Sequence, residues 1–134
     1  MTTSITRTKK TDESQKETRM KAIVYTQYGS PDVLELKEVE KPTPRDGEIL
    51  VKISAASVNT LDLAISGPLL ARIITGGLRK PKDPRLGADI AGRVEAVGNH
   101  VTQFQPGDEV FGDLFECGLG GFAEKSVLVK MHWC

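Results

Sequence analysis

Leu86-Gly-Ala-Asp89-Ile-Ala-Gly92-Arg-Val-Glu-Ala-Val97-Gly98 reads as a strand from Asp89 to Val97, closed by the turn Gly98-Asn99. Its β-branched residues favour extended backbone, and Gly92 inside it signals a bulge or a close backbone approach. Before it, Lys80-Pro-Lys-Asp-Pro84 cannot be regular, because two prolines three positions apart remove donors and push their predecessors out of the helical region. After it, Pro106-Gly107-Asp108 turns the chain, and Glu109–Phe111 and Phe122–Val129 read as further strands. Upstream, Met20–Tyr25 is rich in strand formers and Gly29-Ser-Pro31 is a turn. Val33–Val39 follows, with Leu34 and Leu36 on one face and Glu35 and Lys37 on the other. Pro42, Pro44 and Asp46-Gly47 then punctuate, and Glu48–Ala56 reads as a longer strand with Leu50 set against Val51 and Ile53, buried on both sides. Only Asn59–Ile65 and a turn within Leu69–Leu78 suit helix. Many short strands between regular turns predict a mainly β fold, a small barrel or sandwich.

Composition narrows the function classes. The chain has 134 residues, the size of one domain. With 18 basic and 18 acidic side chains its formal net charge is zero, so nothing draws it to nucleic acid or an anionic membrane. No apolar run approaches the ~20 residues of a membrane helix. Two cysteines, Cys117 and Cys134, are too few for a disulfide framework. Residues 1–19 carry no apolar signal core, and Asp12, Glu13 and Glu17 disfavour a transit peptide. They are expected to be a disordered polar tail, and the cytoplasm is the expected location.

Several chemical constellations fail on inspection. Gly118-Leu-Gly120-Gly-Phe-Ala123 matches the dinucleotide fingerprint in form, but only eleven residues follow Ala123, too few for the helix and ribose-binding acid that the motif requires. Gly87-Ala-Asp-Ile-Ala-Gly92 has the glycine spacing of a P-loop, with Arg93 and Val94 where lysine and a hydroxyl residue are needed. Cys117, His132 and Cys134 lack the C-x-x-C pair that presents two sulfurs to one zinc ion. His100 follows a turn with no second ligand near it in sequence and reads as solvated surface.

Three stretches, taken together, resemble a known family. They are Met20–Val24 with Gly29-Ser-Pro-Asp-Val-Leu34, Ala56-Ser-Val-Asn59-Thr-Leu-Asp62, and Leu86–Gly98. Phe104-x-Pro-Gly-Asp-Glu-Val110, Phe111-Gly112 and Gly121-Phe-Ala-Glu124 follow in order. The pattern resembles the GroES-like, alcohol dehydrogenase-like N-terminal domain of the medium-chain dehydrogenase/reductase superfamily. It is most similar to the NADPH-dependent quinone oxidoreductases and their zinc-free relatives. The resemblance implies a GroES-like, partly open β-barrel over residues 20–134, with one or two short helices and no Rossmann domain.

It also implies a site. Zinc alcohol dehydrogenases carry cysteine where this chain has Asn59, and histidine–glutamate where it has Ala88-Asp89. Asparagine and alanine supply neither thiolate nor imidazole, so no zinc is expected. In similar enzymes the Asn59 position lies near the nicotinamide and the substrate, which makes Asn59 the candidate catalytic and cofactor-binding residue. Asn59 is equally a helix N-cap with Asp62 in the first turn, and the two roles coexist. Asp62 is expected to bind substrate or order the loop rather than transfer protons. The implied function is the substrate side of an NADPH-dependent, zinc-independent quinone or enone reductase. Full-length relatives continue into a Rossmann domain, so this chain is expected to be C-terminally truncated, inactive alone and without tight NADPH binding. The alternatives are a non-enzymatic interaction module, self-associating or binding relatives through open sheet edges, and a co-chaperonin, suggested by the fold's name alone.

Overall fold

In a computed structural model, residues 18–60, 62, 72, 73 and 77–129 are described. Most of the tail expected over residues 1–19, most of both expected helical stretches, and residues 130–134 with His132 and Cys134 lie outside them.

Among the described residues six strands run in the order β1 (Arg19–Tyr25), β2 (Leu34–Glu40), β3 (Glu48–Ala56), β4 (Asp89–Val97), β5 (Glu109–Asp113) and β6 (Lys125–Val129). All their pairings are antiparallel. β1 and β2 form one sheet, and the second has the order β5-β4-β3-β6. The expected extents of β3 and β4 are met in full, and Arg19 belongs to β1 rather than to the tail. Two 3₁₀ turns, Pro31–Val33 and Phe115–Cys117, were not anticipated.

Strand alternation explains the core. In β1, Met20, Ala22 and Val24 point inward, while Lys21 and Ile23 point out. In β3, Ile49, Leu50 and Val51 are buried in succession, so this central strand is covered on both faces there. Ile49 and Val51 pack with Ile90, Val94, Val110, Leu114 and Leu128. Burying each such side chain contributes about 1.5–3 kcal/mol. A second cluster joins Tyr25 and Leu86 with Phe122. Leu36, 68% exposed, pairs across the ladder with Ile23 on the outer face of the two-stranded sheet.

Backbone bonds fasten the two sheets together. Ile23 N–H donates to Phe122 O (2.8 Å), Tyr25 N–H to Pro84 O (2.9 Å), and Glu124 N–H to Lys21 O (3.0 Å). The result is a partly open barrel, in which β5 and β6 each pair on one side only among the described strands. Gly92 does what its position in a strand suggested: a side chain there would run into the Lys52 carbonyl oxygen, and the β3–β4 register slips twice nearby. Lys41 and Lys125 both donate to Glu95 Oε1, at 2.8 and 2.7 Å, tying the β2–β3 linker and β6 to β4.

Candidate functional site

Because β3 and β4 are antiparallel, the exit of one lies beside the entry of the other, with Ala56 opposite Ile90. That register brings Ser57, Asn59 and Asp89 together. Ser57 N–H donates to the Asp89 carbonyl (3.1 Å). The Ser57 hydroxyl and the Asn59 Nδ2 amide both donate to Asp89 Oδ2, at 3.0 and 2.6 Å.

Asp62 holds the same loop from the other side. Its carboxylate is 8% exposed, with Oδ2 accepting the Asn59 N–H (2.8 Å) and Oδ1 accepting the Gly87 N–H (3.1 Å). The Asp62 N–H donates back to the Asn59 carbonyl (3.0 Å). A side chain reaching back three residues to a backbone N–H is half of a capping box. Asn59 therefore stands at the start of this turn, with its amide directed to Asp89 and its backbone held by Asp62. Gly87 can present its N–H because its φ is +87° and a Cβ there would lie 2.8 Å from Phe122 N.

Reading the sequence missed Ser57 and Asp89 as partners of Asn59. Short polar side chains at two strand ends were the available signal, but only the β3–β4 register makes them neighbours. Val58, Phe111 and Phe115 are exposed at the same end of the sheet, by 80%, 76% and 50%. A cavity of about 240 Å³ lies elsewhere, between β1 and β6, walled by Met20, Ala22, Phe122 and Val127 among others, and no predicted site residue borders it.

Ala88 is buried and carries no ligand atom, while the Asn59 amide is bound to Asp89. Among the described residues no three His, Cys, Asp or Glu side chains gather as a metal site. Cys117 packs against the core instead. Nor do the glycines of 118–123 cradle a phosphate. Gly120 and Gly121 donate to Gly87 O and Phe122 to Leu86 O, and the segment leads into β6 rather than a helix. No helix among the described residues is long and apolar enough to cross a membrane.

Residues 45–134 match the family described as "Alcohol dehydrogenase GroES-like domain". The quinone oxidoreductase of Lama guanicoe is 37% identical over 107 residues, covering 78% of this chain and 30% of that protein. The 2-methylene-furan-3-one reductase of Solanum lycopersicum is 40% identical over 103 residues, covering 76% and 25%. The solved quinone oxidoreductase of Coxiella burnetii superimposes with a TM-score of 0.72 at 31% identity, covering 83% of this chain and 35% of that one. The chain thus spans about a third of the length of the relatives it matches.

Proposed function

Since this chain belongs to the alcohol dehydrogenase GroES-like domain family, on the quinone oxidoreductase-like branch of the medium-chain dehydrogenase/reductase superfamily, we propose that it is the substrate-side wall of an NADPH-dependent, zinc-independent reductase. The acceptors are quinones or α,β-unsaturated carbonyls. The observation that carries this reading is Asn59, a neutral amide donor clamped by Asp89 and Asp62 where a zinc enzyme needs a ligand.

Reduced nicotinamide would supply the hydride. As an electron-poor carbonyl accepts it, negative charge develops on the acceptor oxygen, and an amide donor already held in place stabilises that charge without reorganising. Such acceptors are electrophilic enough to react without a Lewis acid, unlike alcohols. Asn59 lines the cleft, and Asp62 orders the loop by holding the Asn59 and Gly87 N–H groups. The 134 residues contribute one wall, so by themselves they neither bind NADPH tightly nor turn over. The cytoplasm, where reduced nicotinamide is at hand, is the proposed location.

The test grafts residues 18–134 in place of the matching third of the Lama guanicoe enzyme and follows NADPH oxidation with a quinone. Quinone reduction by the graft, and none by the 134-residue chain, is the expected pair of results. A folded graft without activity, or saturable turnover by the 134 residues alone, contradicts the reading. The one-sided pairing of β5 and β6, with Phe111 exposed on β5, favours a second reading as an association module. A discrete, concentration-dependent oligomer on size-exclusion chromatography would support it.

A further inference from the structure

We propose that Asp89 is a positioning residue: it fixes the orientation of the Asn59 carboxamide by holding its amino group at the start of β4. A primary amide has two ends of nearly equal shape, one donating and one accepting, and packing alone discriminates poorly between them. An ionised carboxylate only accepts, so the end beside Asp89 Oδ2 must be the amino group, and at 2.6 Å the bond is a short, charge-assisted one. The flipped amide would set its carbonyl oxygen against the carboxylate, acceptor against acceptor.

Asp89 is itself well anchored. It opens β4 between the buried residues Ala88 and Ile90, and its backbone carbonyl accepts the Ser57 N–H (3.1 Å). The Ser57 hydroxyl, 3.0 Å from the same Oδ2, fixes the carboxylate rotamer. Asp62 anchors the Asn59 backbone while Asp89 orients its side chain. Asparagine at position 89 would be nearly isosteric yet would serve either amide orientation, so here it is the charge that carries the information.

The proposal rests on the reading of Asn59 as a cleft residue, and its test is kept separate from that reading. Nitrogen–proton correlation spectra of the 134-residue chain are recorded at neutral pH. Two other carboxylates lie at this end of the sheet. Asp113, opposite Asp89 on β5, accepts the Phe115 N–H (2.6 Å), and Asp62 accepts the Asn59 backbone N–H (2.8 Å). One of the two Asn59 side-chain amide protons is expected to lie well downfield of the other, and to exchange slowly, in the wild type and in Asp113→Asn. In Asp89→Asn that separation is lost, while Asp89→Glu, which keeps the acceptor, restores it. Wild-type Asn59 side-chain protons with no such separation, or its persistence in Asp89→Asn, would overturn the proposal. The wild-type result stands even if a variant fails to fold. A graft without reductase activity would count against the function of Asn59 and leave the orientation result untouched.

Discussion

Replacing Asp62 with asparagine changes one oxygen for an amino group and should nonetheless rank among the costly substitutions. The native carboxylate is 8% exposed and accepts two backbone N–H groups, from Asn59 at 2.8 Å and Gly87 at 3.1 Å. Asparagine has one acceptor oxygen, so whichever N–H it keeps, its amino group meets the other, donor to donor. A buried donor left unpaired costs about 1–3 kcal/mol, and turning the surviving bond from charged to neutral costs about 1 kcal/mol more. The expected loss is about 2–4 kcal/mol, roughly a factor of 30 to 1,000 in the folding equilibrium. Urea denaturation of the 134-residue chain reads this as a lower midpoint at unchanged m-value. Amide exchange adds a local check, because the Gly87 N–H should lose protection more than those of β3. A loss below about 0.5 kcal/mol, the size of an ordinary surface substitution, would refute the assignment of Asp62 as the loop's anchor.

Further consequences follow from the same geometry. Gly87→Ala should destabilise by about 1–3 kcal/mol, because the residue sits at φ +87° and its Cβ would press on the Gly121–Phe122 backbone; a neutral result in urea would show that this approach relaxes easily. Leu114→Ala should cost about 2–5 kcal/mol, since Leu114 is fully buried in the main core; thermal unfolding measures it. Burial pushes the Glu95 carboxyl pKa up, but the hydrogen bonds and charges of Lys125 and Lys41 outweigh this and hold it below the ordinary value. A carboxyl depressed in the folded state contributes stability above its unfolded value, about 4.3, and loses it as the pH falls through the folded one. Acid titration of stability should therefore be shallower in Glu95→Gln than in the wild type, and equal slopes would show that Lys41 and Lys125 do not hold the Glu95 carboxyl down.

Much of the fold was legible from local pattern. Glu48–Ala56 and Asp89–Val97 are dense in β-branched residues and bounded by turn residues, so their limits could be placed without tertiary information. Leu36 was not legible in this way: alternation assigns it a face, while burial depends on whether anything covers that face. The 3₁₀ turn at Phe115–Cys117 escaped for a related reason. Gly118 closes it at φ +88°, in a run of glycines that reads equally well as a loop. In the site, Asn59 and Asp62 stood out as polar residues at a helix start. The Asn59–Asp89 bond spans thirty residues and two slips of register, and nothing local encodes it.

In the proposed reductase a neutral amide, Asn59, stabilises the charge formed on an electron-poor acceptor with no metal beside it. This is checked by following NADPH oxidation by the grafted reductase with a zinc chelator present, beside its Asn59→Ala variant. The chelator should leave the rate unchanged, and the substitution should lower it about 10²-fold, as losing one such donor does. Activity that the chelator abolishes, or that survives Asn59→Ala intact, would contradict it.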